Sequence, residues 1–300
     1  MILLIYRIFN INKYNKGANM EKTRIAICYD FDKTLSRKDM QCYGFAKHID
    51  ENIDDFWQEC SRFSEQHNAD NIMSYMYMML RKCEQKGILP TRKFFNDCGK
   101  DIDFFDGVAE WFENINKFAE SKNVILEHYI ISSGVKEIIE GTSIAKYFKA
   151  IFACSYCYDK DGNAFWPALN INYTSKTQYL YRINKGLLNC IDDSVNDYMS
   201  YDDRRIPFEN IIYIGDSQTD IPSMKLLRAK HGSSIGVYDA DDLPDYYKTL
   251  INQSRVDYIA RANYTIDSEL SHIIQEIIET IYHKDVLRKI NLEQRTKAKR

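Results

Sequence analysis

Residues 24–36 read RIAICYDFDKTLS, and the change of character within them decides the fold. Arg24 to Tyr29 is a short apolar run rich in β-branched side chains that does not alternate with polar residues. A run of that kind reads as a strand buried on both faces, as in a parallel sheet. It stops at two aspartates, Asp30 and Asp32, which therefore sit at the carboxyl edge of the strand. Four more runs of the same type follow, at Val124–Ser132, Ala150–Cys154, Ile211–Gly215 and Ser234–Tyr238. Helical spacing follows two of them, with Val135, Ile138, Ile139 and Thr142 after the second run and Met224, Leu226 and Leu227 after the fourth. Strands alternating with helices predict an α/β fold, a parallel sheet sandwiched by helices.

The gap between the first two strands is of another kind. Residues 37 to about 105 carry helix-like spacing (Phe56, Trp57, Cys60, Phe63, then Ile72, Met76, Met79, Leu80, Cys83) and no strand, which predicts an inserted α-helical domain. Within it MSYMYMML, residues 73–80, is apolar on nearly every face and is read as core packing rather than as a substrate-facing surface. Tyr156 to Pro167, centred on Asp161 and Gly162, predicts a β-hairpin. Its Asp159, Asp161 and Asn163 resemble a calcium loop without the downstream glutamate, so turn chemistry is preferred. After Ser268 an amphipathic helix with Leu270, Ile273, Ile274, Ile277, Ile278 and Ile281 closes the fold. The expected organisation is a flexible extension over 1–19, an α/β core over 20–36 and 106–283, the helical insertion over 37–105, and a solvated basic tail over 284–300.

A chain of 300 residues, 45% apolar and 28% charged, can bury a sizeable core. The formal net charge of -3 offers no general attraction for nucleic acid or anionic lipid, so neither is the expected partner. The opening MILLIYRIFNI is broken by Arg7 and is shorter than the roughly 20 residues a membrane span needs. Eight cysteines at irregular spacings, with no secretory signal, point to a reducing cytoplasm. Cys154 and Cys157 lack the further ligands a zinc site requires. The sequons at Asn172, Asn252 and Asn263 are read as chance in an Asn-rich chain.

Asp30 and Asp32 are close enough to repel unless a cation or a proton intervenes, and a divalent ion would serve. IISSG, residues 130–134, puts Ser132 and Ser133 at a strand end just before a helix, where hydroxyls and backbone N–H groups can hold phosphate oxygens. Lys176, in TSKTQYLYRINKG, supplies a point charge, with Lys185 the alternative. IYIGDSQTD, residues 212–220, places Asp216 at another strand end and Asp220 four residues on, with Gly215 permitting a tight turn and Pro222 suiting a helix start.

Taken in order, these four motifs resemble those of the haloacid dehalogenase superfamily, in particular its phosphoserine-phosphatase-like branch, over about Arg24 to Tyr282. The resemblance implies a Rossmann-like core with a helical cap inserted between the first two motifs. It implies a Mg2+-dependent phosphomonoesterase acting on a small phosphorylated metabolite. Asp30 would be the nucleophile that becomes an aspartyl-phosphate and Asp32 the acid/base. Mg2+ would be held by Asp30, the main-chain carbonyl of Asp32 and Asp216, with Asp220 assisting. Ser132, Ser133 and Lys176 would bind the phosphoryl group. Where the family's phosphoserine phosphatases carry a substrate-binding glutamate this chain has Asp39, the first candidate for substrate specificity. A phosphotransferase and a non-catalytic binding protein of the same fold are the alternatives. The segment 189–205 has no functional reading in the sequence.

Overall fold

In the computed structural model, which describes residues 21–298, the run ending at Tyr29 is strand β1 (Thr23–Tyr29). Six more strands join it: β2 (Val124–Val135), β3 (Phe148–Tyr158), β4 (Ala164–Leu169), β5 (Ile211–Gly215), β6 (Ser233–Tyr238) and β7 (Tyr258–Arg261). The sheet order is β4-β3-β2-β1-β5-β6-β7, and every pairing is parallel except β3 with β4. Ile25, Ala26, Ile27, Cys28 and Tyr29 are all fully buried, as expected of a central strand covered on both faces. The chain leaves β1 toward β2 and β3 on one side and returns to build β5, β6 and β7 on the other. The switch in direction falls between β1 and β5, where open α/β sheets form a crevice at their carboxyl ends.

The helices are α1 (Gly44–Ile49), α2 (Ile53–His67), α3 (Asn71–Gln85), α4 (Arg92–Cys98), α5 (Val108–Ser121), α6 (Lys136–Glu140), α7 (Ser175–Lys185), α8 (Ile221–Ala229), α9 (Asp245–Asn252) and α10 (Glu269–Ala298). The first four fall in the segment read as a helical insertion. Each of α2, α3 and α4 starts where the sequence supplies an N-terminal cap: Asn52, Asp70 and Thr91 accept hydrogen bonds from backbone N–H groups in the following turn. In the apolar stretch 73–80, Met76 and Met79 are buried while Met73 and Tyr77 stand exposed, so its faces have separate roles.

Three expectations are corrected. β7 has no counterpart in the sequence reading, because four residues flanked by polar chain give no periodic signal. The helix after β2 covers only Lys136–Glu140, about one and a half turns, and ends two residues before Thr142, where the pattern ran on. Residues 284–298 are the continuation of α10 and not a tail. Asp285 anchors this part of the helix by accepting from Thr23 Oγ1 at 2.8 Å while pairing with Lys289 at 2.7 Å. The extension expected over 1–19 and the last two residues of the expected tail lie outside the described residues. Among the described residues no helix is long and apolar enough to cross a membrane.

Candidate active site

Asp30 leaves β1 beside β5, where its N–H donates to Ile214 O at 2.9 Å. The Phe31 N–H donates to Asp30 Oδ1 at 2.8 Å, and Lys176 Nζ lies 3.2 Å from Oδ2, so the carboxylate is held in one orientation. Lys176, with no exposed surface, bridges to Asp220 Oδ1 at 2.7 Å. Asp220 is itself fixed from every side. Tyr213 OH donates to Oδ1 at 2.7 Å, and Ser217 donates to Oδ2 through both N and Oγ at 3.1 Å. Gly215 is required for this approach, since a Cβ there would lie 2.5 Å from the Asp220 carboxylate. Asp216, at the end of β5, accepts from Thr34 Oγ1 at 3.3 Å.

One carboxylate oxygen from each of Asp30, Asp216 and Asp220 lies within 4.8 Å of the others. The Asp32 side chain stands apart from this trio and accepts from Met40 N at 2.8 Å. Hard oxygen donors so close together suit Mg2+ better than a soft metal. The donors already spent on Asp220 make it the anchor of Lys176, and leave Asp30 and Asp216 with the freer oxygens.

Above these carboxylates is a cavity of about 310 Å3. Asp30, Asp32, Ser132, Ser133, Gly134 and Asp216 form its sheet-edge side. The pairing of β2 with β3 is irregular between Ile131 and Val135, which puts Ser132 to Gly134 out of the ladder. The Gly134 N–H turns back to donate to Ser132 Oγ at 3.0 Å, whereas the buried Ser133 Oγ has no hydrogen-bond partner. Lys176 and Asp220 do not line the cavity; they lie behind Asp30. Lys185, at the other end of α7, donates to Val195 O and Asp197 O and holds the segment 189–205. Lys33, Ser217 and Thr219 complete the core side, and the facing wall comes from the helical segment: Gln41, Trp57, Cys60, Ser61, Ser64, Asn71, Ile72 and Tyr75. None of these was singled out in the sequence as a site residue, because which helix faces cover the sheet edge is settled by packing across the chain. Asp39 also lines the cavity, its Oδ2 paired with Lys33 Nζ at 2.8 Å.

Crowded and buried, the carboxyls resist ionisation. Burial first, then the charge of Asp220, pushes Asp30 up to about 6 against the pull of Lys176. Burial, Asp39 and Asp30 hold Asp32 well above the usual carboxylate range, and burial with Asp220 and Asp30 does the same for Asp216. Burial alone would lower Lys176, but Asp220 and Asp30 outweigh it and keep it protonated. The site is thus short of positive charge, which is the condition a divalent cation relieves.

Solved structures of similar shape include a HAD family hydrolase from Salmonella enterica subsp. enterica serovar Typhi. It is 15% identical, with 84% of this chain and 73% of that one covered at a TM-score of 0.53. A probable phosphoserine phosphatase from Vibrio cholerae is 10% identical, with 87% and 67% covered at 0.52. The fold is that of the haloacid dehalogenase hydrolases. In that fold the four sequence motifs converge on one crevice, at the carboxyl ends of β1, β2 and β5 and the start of α7. An uncharacterized protein of Borreliella burgdorferi is 30% identical over 288 residues, covering 87% of this chain and 98% of its own length. The chain belongs to the same family as that protein. No family model matches it.

Proposed function

We propose that this haloacid dehalogenase-fold chain is a Mg2+-dependent phosphomonoesterase that works through an aspartyl-phosphate on Asp30. The observation that carries the reading is the setting of Asp30. Its carboxylate sits at the floor of a cavity, 3.2 Å from a fully buried ammonium and within reach of two further carboxylates. An isolated structural ion pair needs neither a cavity nor surplus acids.

Asp30 and Asp216, with the main-chain carbonyl of Asp32, would hold Mg2+, whose charge would offset that of the acids and of a bound phosphate. Ser132, Ser133 and backbone N–H groups of the irregular β2 edge bind phosphoryl oxygens, and Ser133 Oγ has no other partner. Asp30 attacks phosphorus while Lys176, positioned by Asp220, Tyr213 and Ser217, neutralises the charge that develops. Asp32 enters protonated, gives its proton to the leaving oxygen, and as a carboxylate then takes one from the water that hydrolyses the acyl phosphate. Residues 37–105 act as a cap that limits access to small soluble substrates and excludes bulk water during the chemistry. All eight cysteines are free, in keeping with a cytoplasmic enzyme.

The test is hydrolysis of an aryl phosphate by the purified chain. Activity is expected with Mg2+, and excess chelator is expected to abolish it. Asp30→Asn should lower kcat by at least about a thousandfold, since an amide is a poor nucleophile. Full turnover in chelator, or near wild-type rates in Asp30→Asn, overturns the proposal.

A further inference from the structure

The far wall of the cavity differs from its floor. Gln41 is 2% exposed, and its Oε1 has no hydrogen-bond donor. Ser64 donates its hydroxyl to Cys60 O at 3.0 Å and Ser61 donates to Trp57 O at 3.0 Å, so lone pairs are what both hydroxyls have left for a ligand. Rings of Trp57 and Tyr75, meeting edge to face at 5.8 Å, supply apolar surface for C–H groups. This wall carries no net charge, and beside these acceptors it has the amide N–H groups of Gln41 and Asn71, a neutral mixture of acceptors and donors that hydroxyls can match from both sides. Among the described residues lining the cavity the sole cation is Lys33, and it is paired with Asp39 at 2.8 Å. A ligand carboxylate finds no free cation there. A ligand ammonium finds no unpaired acid outside the carboxylates at the floor.

We propose that the organic part of the substrate is an uncharged, hydroxyl-bearing carbon skeleton, a polyol or monosaccharide monophosphate, with one hydroxyl donating to Gln41. The proposal rests on the phosphomonoesterase reading above and names its substrate class. Hydroxyls are the donors that satisfy a buried neutral acceptor without bringing a charge into the wall, and a site built to accept such a bond discriminates against ligands that cannot make it. A volume of about 310 Å3 suits a ligand of a few carbons with its phosphate.

The experiment compares kcat/KM in Mg2+ for glycerol 3-phosphate, ribose 5-phosphate, O-phospho-L-serine and an aryl phosphate. The better of the two hydroxylated substrates is expected to exceed phosphoserine by at least about tenfold. In Gln41→Leu the ratio of that substrate to the aryl phosphate should fall by a similar factor. Gln41→Glu keeps the acceptor and adds charge, so the preference should move toward phosphoserine. This second variant decides the matter if the first does not fold. Phosphoserine equal to or better than both hydroxylated compounds overturns the proposal, as does an unchanged ratio in both variants. Absence of aryl phosphate hydrolysis overturns the phosphomonoesterase reading instead. Recognition is then read from the Tm shift given by glycerol 3-phosphate against that given by phosphoserine, with the same ranking expected.

Discussion

Without the Lys176 ammonium, the fully buried Asp220 would face Asp30 with no cation between them. Breaking a buried pair from one side leaves uncompensated charge, at a cost of about 3–5 kcal/mol. Lys176→Ala is therefore expected to lose that much stability and to lower kcat/KM by about a hundredfold or more. Lys185→Ala removes only contacts to the carbonyls of Val195 and Asp197, and should change stability by about 1 kcal/mol with little effect on turnover. Urea denaturation and aryl phosphate kinetics on the two variants check both statements, and the reverse ranking contradicts them. The strand-end positions of Asp30, Asp32, Ser132 and Asp216 were legible in the sequence because an apolar run that stops at a polar residue marks the edge of a sheet. Of the four donors around Asp220 the sequence disclosed Lys176 alone; Tyr213 and the N–H and hydroxyl of Ser217 were not legible. Tyr213 reaches it from within a buried strand, and nothing in a linear pattern tells which buried tyrosine keeps its hydroxyl for an acid.

Helix α3 meets the sheet edge through one hydrogen bond from Tyr75 OH to Ser133 O at 2.5 Å, and β3 returns another from Tyr156 OH to Met76 O at 2.9 Å. These bonds tie a wall of the cavity to the strand end that presents Ser132 and Ser133. Tyr75→Phe should cost about 1 kcal/mol of stability. It should also raise KM for a small phosphate several-fold, because the wall is then less often in place when substrate binds. Unchanged KM, with unchanged amide hydrogen exchange in α3, would show that the contact does not position the wall. The helical character of 37–105 was readable from its 3.6-residue spacing. Its placement over the crevice depends on long-range contacts that leave no local trace. The continuation of α10 past residue 284 was hidden for a related reason, since Asp285 is buried by a partner near the other end of the described chain, Thr23.

Global stability carries its own signature of the packing around β1 and β2. His128 is buried between Tyr29 OH and Asn116 Oδ1, each 3.1 Å from a ring nitrogen, and burial pushes its pKa down from 6.5 to about 3. The unfolded chain gains a proton below pH 6.5 that the folded chain refuses, so this stability is fully present above 6.5 and is lost as pH falls toward 3. The slope approaches about 1.4 kcal/mol per pH unit within that window. Glu127 behaves similarly at lower pH: burial opposes its ionisation, but Arg205, Tyr129 and Arg24 outweigh it and hold the carboxyl at about 2. Its contribution is present above about pH 4.5 and fades toward 2. Asp30, raised to about 6, adds stability over the same range as pH falls, so the His128 contribution is read as a difference. Between pH 6.5 and 4.5, before Glu127 matters, the wild type should lose stability relative to His128→Gln, in urea denaturation, by up to about 1.4 kcal/mol per pH unit. Equal slopes in the two proteins contradict the assignment.

At the scale of the whole molecule the sequence disclosed the parallel sheet and its helical layers through their alternation. The position of β1 between β2 and β5, which creates the crevice, became visible only with the register in hand. The proposed chemistry turns on covalent phosphorylation of Asp30 at that crevice. An acyl phosphate is reduced by borohydride, which converts the aspartate bearing it to homoserine. The decisive measurement is peptide mass spectrometry on protein quenched with borohydride during turnover of an aryl phosphate. Homoserine is expected at position 30 in the wild type with Mg2+, and none in chelator or in Asp30→Asn. Reduction at another residue, or none at all while hydrolysis proceeds, would contradict it.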